Sequence, residues 1–152
     1  MPIQKLPNGT RGPRNPPGFV GRLVMPLMTR FHKRSGDRFQ GMDLLYLTTV
    51  GARSGQRRTT SLARVADGDN WLVVAAAAGA IKHPSWYHNV VAHPDDVWVE
   101  FGGEKHRVEV EQLQGEARER AWAKVVERFP RFDGYLGKTD REMPVLRLTP
   151  VP

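Results

Sequence analysis

Residues 51–60, GARSGQRRTT, set Arg53, Arg57 and Arg58 around Ser54, with Gly51 and Gly55 spacing the turn. Guanidinium forks match the geometry of phosphate and carboxylate oxygens. A serine hydroxyl adds a further hydrogen bond, and glycine reaches backbone angles closed to other residues. Successive N–H groups in such a turn can form a nest for an anion. From these residues alone three readings stay open: a solvated basic hairpin turn, a nucleic-acid patch, or a loop that holds phosphate or another anion. A Walker-type phosphate loop is excluded, because its glycine spacing and terminal GK[ST] are missing.

Other side chains with chemical potential are sparser. His83, His88 and His93 recur every five residues, which does not stack them on one helical face, and no HExxH occurs. The absence of cysteine removes disulfides, thiol chemistry and iron–sulfur ligation. No GxSxG elbow is present. Trp86 and Asn89 follow an alanine run, where the tryptophan can pack a planar ligand and the asparagine can hydrogen-bond one; an ordinary core tryptophan and loop asparagine read the same way. Phe132 and Tyr135 either roof a pocket or seal the fold. Asp95 and Asp96 fall at a turn and are expected to be solvated.

The elements that must position these groups follow from periodicity and punctuation. Residues 1–18 hold five prolines and three glycines and are expected to form a flexible arm. Residues 19–32 place Phe19, Leu23, Leu27 and Phe31 four apart, a basic amphipathic helix interrupted by Pro26. It has two readings, packing on the domain's own core or peripheral contact with a membrane surface. Strands are expected over residues 43–49, 59–66 and 71–78, the last being WLVVAAAA, then a short helix over 84–93. Strands over 96–101 and 106–113 join through Gly102 and Gly103, a helix over 115–129 ends before Pro130, an aromatic loop spans 132–140, and a final strand covers 144–149. Connections this short forbid most parallel crossovers. The fold class expected is mainly β with flanking helices (α+β), a single domain over residues 19–152 built on an antiparallel barrel or curled sheet.

Charge is divided unevenly along the chain. Residues 1–64 carry twelve Lys/Arg against two acids, and residues 65–152 carry eleven against fourteen. A field of that kind steers an anionic partner. No run of eighteen apolar residues and no signal-peptide core is seen, so a cytoplasmic protein is expected, with contact at the inner face of the membrane as the alternative use of the first helix.

Five ordered pieces, LLYLTTVGARSGQRRTTSL, DGDNWLVVAAAAG, HPSWYHNVVAHPDDVWV, ERAWAKVVERFPRFDGY and TDREMPVLRLTP, resemble the deazaflavin (F420)-dependent nitroreductases, relatives of the FMN-binding-like split β-barrel oxidoreductases. The likeness covers about residues 40–150 and ends on the pattern R-x-x-P-V-x-x-L-x-P. It implies a split β-barrel, coenzyme F420 as cofactor, and hydride transfer to a small hydrophobic electrophile such as a quinone, an enone or a nitro compound. It implies that Arg53, Ser54, Gly55 and Arg58 grip the cofactor's phosphate and acidic tail, with Thr60 and Ser61 beside them. It also implies that Ala75, Ala76 and Ala77 meet the ring, that Trp86 and Asn89 complete the cofactor site, and that Tyr135 closes the substrate pocket and is the catalytic candidate. Nucleic acid is not an expected partner. Ala52 stands where the family has arginine, with Arg57 as the nearest replacement, and Ala76 where it has serine. Ala78 takes the place of a glycine. The loss of that serine makes a non-catalytic F420 carrier the alternative function.

Overall fold

The computed structural model describes residues 3–14, 38–39 and 42–152, and the helix expected over residues 19–32 lies outside them. The described residues form β1 (Arg38–Phe39), β2 (Met42–Val50), β3 (Arg57–Ala63), β4 (Val65–Asp67), β5 (Asn70–Val74), a 3-10 turn (Ala77–Gly79), α1 (Ser85–Ala92), β6 (Trp98–Phe101), β7 (Glu104–Gln112), α2 (Gly115–Arg128), α3 (Arg131–Tyr135) and β8 (Val145–Pro150). The strands make one sheet in the order β1-β2-β6-β7-β8-β5-β4, with β3 also paired to β2.

Every pairing is antiparallel. β3 lies beside β2 and β4 lies at the far end of the path, yet only Arg64 separates them in the chain. The sheet must therefore curl until its two ends meet, and one bent strand supplies both. That is the split β-barrel expected from the resemblance. Counting reversals along the path, β2 and β5 point the same way. The loop after β2 and the alanine run after β5 therefore open on one mouth of the barrel.

Two cores lie on the two faces of the sheet. Leu45, Leu47, Val73, Val99, Val108, Leu146 and Leu148 fill the barrel, and Trp86, Tyr87 and Val90 of α1 close it. Side chains of that size contribute roughly 1.5–3 kcal/mol each on full burial. On the outer face Leu72, Val74 and Val145 pack against Ala121 and Val125 of α2. Alternation along β5 explains the split, since successive side chains leave opposite faces. β2 shows little alternation because Leu44, Leu45, Tyr46 and Leu47 are all buried. α2 places Glu116 in its first turn and Arg128 in its last, as the helix dipole favours.

Four expectations need correction. The strand over residues 71–78 stops at Val74. Ala75 N–H still bonds the Pro144 carbonyl at 2.9 Å, but proline has no N–H to return the bond, so the ladder ends. The strand over 59–66 is two strands bent at Arg64. The aromatic loop begins as the short helix α3. Asp96 is anchored rather than merely solvated: it accepts from Trp98 Nε1 at 3.0 Å and from both Arg57 Nη atoms at 3.3 Å.

Residues 3–14 have no regular secondary structure but lie bound to the domain. Ile3 is buried in the barrel core. Leu6 N–H donates to the Tyr87 hydroxyl at 3.0 Å, which donates to Gln112 Oε1 at 2.7 Å, and Gln112 Nε2 donates to the Gln4 carbonyl at 2.9 Å. Gly9 N–H and Ile81 N–H exchange bonds with the Ile81 and Pro13 carbonyls, each at 2.9 Å. At its far end Thr10 and Arg11 N–H both donate to Asp140 Oδ1 at 2.8 Å, and the Thr10 hydroxyl bonds Oδ2.

Candidate functional site

The loop between β2 and β3 is a closed hairpin connection. Gly51 N–H bonds the Gln56 carbonyl at 2.7 Å and Gly55 N–H bonds the Gly51 carbonyl at 3.0 Å. Gly55 has φ 69°, a left-handed angle that glycine takes without strain. A side chain on Gly51 would collide with the Ser54 hydroxyl. That hydroxyl accepts from Gln56 N–H at 3.1 Å. Helix α1 braces the loop: Asn89 Oδ1 accepts from Ala52 N–H at 2.9 Å, and its Nδ2 donates to Thr49 Oγ1 at 3.2 Å.

Register then sorts the β3 side chains. Arg58 lies opposite Thr49 and Thr60 opposite Leu47, on the face that α1 covers; Arg57 lies opposite Val50 and Ser61 opposite Tyr46, on the other face. Arg57 is thus turned away from Arg58 and is spent on Asp96. Neither Arg53 nor Arg58 makes an ion pair among the described residues. Burial, then Lys5, His83 and Arg53, hold the His88 pKa below its ordinary value. The mouth therefore concentrates positive charge that the described residues leave unneutralised.

At the same mouth the alanine run turns left-handed. Ala77 has φ 46°, Ala78 φ 51° and Gly79 φ 78°. Gly79 N–H bonds the Ala76 carbonyl at 2.9 Å, and Ala80 N–H bonds the Ala77 carbonyl at 3.0 Å. Ala75 and Ala76 are buried, while Ala78 is exposed. Tyr135 backs this turn: a Cβ placed on Gly79 would stand 3.3 Å from the Tyr135 carbonyl oxygen. The Tyr135 ring meets Phe132 edge-on at 5.5 Å, with Lys138 Nζ 5.6 Å from its centroid. Its hydroxyl makes no hydrogen bond among the described residues.

The structure thus gathers Arg53, Ser54, Gly55, Arg58, Thr60, Ala75, Ala76, Ala77, Asn89 and Tyr135 toward one mouth, and turns Ser61 to the opposite face of β3. Trp86 is 7% exposed and sits among the core side chains beneath α1. The sequence reading missed Arg141 and His83, both buried. Arg141 hydrogen-bonds the alanine run from below. His83 Nδ1 accepts from Arg141 Nη1 at 2.8 Å, and its Nε2–H reaches the Leu6 and Pro7 carbonyls at 3.0 Å each. Burial, with the Arg141 charge second, lowers the His83 pKa, which agrees with a neutral ring protonated on Nε2. The R-x-x-P-V pattern carried Arg141 in plain view, but nothing local marks an arginine as buried.

A cleft lies elsewhere. About 600 Å³ in volume, it is lined by Asp43, Arg64, Trp71, Phe101, Lys124 and Arg128 among others. These residues mark the start of β2, the start of β5 and the end of β6, so the cleft opens at the opposite mouth.

Comparison with known proteins bears on this geometry. The family model described as F420H(2)-dependent quinone reductase matches residues 20–150. An F420H(2)-dependent quinone reductase of Mycobacterium tuberculosis is 38% identical over 120 residues, spanning 76% of this chain and 80% of its own. The solved structure of an F420-H2 dependent reductase (FDR-A) superposes with a TM-score of 0.63 at 40% identity, over 69% of this chain and 92% of that one. A haem storage protein of Vibrio cholerae superposes with a TM-score of 0.53 over 84% of this chain and 89% of that one; at 17% identity the likeness is one of fold alone.

Proposed function

The chain belongs to the F420H(2)-dependent quinone reductase family, and from that premise we propose how its residues divide the work. It is an oxidoreductase that uses reduced F420 to reduce a small electrophile, and so an enzyme rather than a carrier. We take the electrophile to be a quinone, with enones and nitro compounds as chemical analogues.

The residues present fit an anionic cofactor. Arg53 and Arg58, without carboxylate partners among the described residues, would hold the cofactor's phosphate and carboxylate oxygens, aided by the Arg53 and Ser54 N–H groups, with Gly55 shaping the turn. Thr60, next on the Arg58 face, would extend that grip, and Ser61 would act only through the strand. Ala77, partly exposed, would meet the flat ring without side-chain obstruction, and the buried Ala75 and Ala76 would set the backbone beneath it. Asn89 would act by fixing the loop, and Trp86 by fixing the helix that braces it. Bound and reduced, the cofactor supplies a hydride to the electrophile, and a proton completes the two-electron reduction. Tyr135, with its hydroxyl uncommitted, would orient the acceptor oxygen and hold the proton for it. The pocket walls exclude water and fix the distance, which contributes to rate by proximity. We place the reaction in the cytoplasm, with residues 19–32 meeting the inner face of the membrane, where an apolar quinone resides. Among the described residues no helix is long and apolar enough to cross a membrane.

The observation that carries this division is the convergence of two uncommitted arginines and an open alanine turn at one mouth. Titration with oxidised F420, followed by fluorescence, and oxidation of F420H2 by menadione test it. Saturable binding below roughly 100 μM, the range of ordinary enzyme affinities, is expected. Tyr135→Phe should lower turnover while leaving F420 affinity unchanged; loss of both together would remove Tyr135 from the role given to it.

A further inference from the structure

The alanine turn is an unfavourable backbone held in place. Ala77 and Ala78 have φ values of 46° and 51°, and an alanine in the left-handed region costs roughly 1–2 kcal/mol. Such a conformation persists only when its surroundings over-determine it. The bonds from Gly79 and Ala80 N–H are local and belong to any turn of this size. Arg141 is not local. Its Nη1 donates to the Ala75 carbonyl at 2.9 Å, its Nη2 to the Ala76 carbonyl at 2.5 Å and its Nε to the Ala80 carbonyl at 2.9 Å. These carbonyls bracket the left-handed residues on both sides, and one planar fork spans them.

The same guanidinium is fixed from beneath by His83, which is itself pinned to the arm. Arg141 is 3% exposed, and among the described residues no carboxylate pairs with it. A buried cation answered only by carbonyl and imidazole dipoles is a poor route to stability, since apolar side chains of similar volume generally do as well or better. What the guanidinium supplies that an apolar group lacks is geometry: three fixed donor directions against three carbonyls. We infer that Arg141 is a positioning residue for the hydride transfer, setting the left-handed Ala77–Gly79 turn on which the ring is held, with His83 fixing the guanidinium from the arm. This rests on the reading above that the cofactor ring meets the turn at Ala77.

Arg141→Gln and Arg141→Lys in the full chain test it, with amide hydrogen exchange in the absence of cofactor and oxidised F420 as the binding probe. In Arg141→Gln the Gly79 and Ala80 amides are expected to exchange at least about tenfold faster, while the Val108 amide, bonded to the Val97 carbonyl, stays within about twofold. F420 affinity should fall at least about tenfold, and adding Ala78→Gly should restore part of it, because glycine takes the turn unaided. Lysine, a point charge without the fork, should fall between. Unchanged exchange at Gly79 and Ala80, or equal acceleration at Val108, would overturn the inference. Should Arg141→Gln not fold, the same exchange comparison on Arg141→Lys decides it. Failure of the unsubstituted chain to bind F420 would instead defeat the proposed division of the site, and the exchange result would still say whether Arg141 holds the turn.

Discussion

The two mouths of the barrel differ in how their charges and backbone are settled. At the cleft mouth nearly every charge has a partner: Arg128 with Asp43 at 3.1 Å, Lys124 and Arg147 with Asp67 at 2.5 and 2.9 Å. The Arg64 guanidinium lies 4.1 Å from the Phe101 centroid and donates to the Leu44 carbonyl. At the other mouth Arg53 and Arg58 make no ion pair among the described residues, two alanines hold positive φ, and a buried arginine is spent on backbone carbonyls. The cleft thus lies where the charges are paired, and the strained backbone lies at the mouth where Arg53 and Arg58 make no ion pair among the described residues. On the proposed reading, unpaired charge and strained backbone mark the site and the cleft does not, since strain clusters where geometry is set for a ligand.

Paired substitutions at the two mouths test that contrast. The largest effect is expected from Arg58→Ala, which should weaken F420 binding by roughly 1.5–3 kcal/mol, the scale of a hydrogen bond to a charged group. Arg128→Ala should leave the dissociation constant unchanged. Equal losses would place the anion between the mouths and end the comparison. Next comes Ala78→Gly, expected to stabilise the chain by about 1 kcal/mol in thermal or denaturant unfolding, because it removes left-handed strain. Ala66→Gly, in β4 at the cleft mouth, should destabilise by roughly 0.5–1 kcal/mol as an ordinary strand glycine. If both behave alike, the alanine turn is not strained in solution.

The smallest effect is a pH dependence at the two ends of the arm. Neutral His83 accepts from Arg141, and protonation would remove that acceptor and set two cations together. Its pKa is lowered in the fold from the ordinary 6.5, so the unfolded chain binds the proton first. Stability is level above about pH 6.5 and declines as pH falls below it toward the lowered folded value. Asp140, held down to about 2 chiefly by the Thr10 hydroxyl and then by the Arg11 and Thr10 N–H groups, contributes fully above about pH 3.8 and loses that contribution only as pH falls from there toward 2. Melting temperature between pH 8 and 5 should drop, and His83→Gln should flatten that drop; an unaltered slope would take His83 out of the account.

Much of the sheet was legible because its signals are local. DLLYL, the ADGDN turn and the Gly102-Gly103 hairpin each announce themselves within a few residues. The end of β5 was not, because it depends on Pro144 across the ladder. Arg57 was credited as a spare cation for the loop, but one step of strand alternation gives it to Asp96. Asn89 was read toward a ligand, and its amide is committed to Ala52 and Thr49. Arg141 escaped entirely, since its role is visible only once residues 75, 80, 83 and 141 share one point in space. Residue type alone leaves residues 51–60 open among three readings, and the support beneath the alanine turn gives no local sign at all.

The bend at Arg64 has a consequence for the edges of the sheet. A sheet with two ends offers two rows of unpaired backbone to any neighbour, the usual route to edge-to-edge aggregation. Here both rows belong to one segment of chain, and Arg57, Arg58 and Arg64 are spaced along it. Arg57 is answered by Asp96, whereas Arg58 makes no ion pair among the described residues and opposes pairing with a second copy of the same edge. Arg58, to which we give a share in holding the ligand, stands on that edge, so removing it for altered affinity would also thin a barrier against self-association.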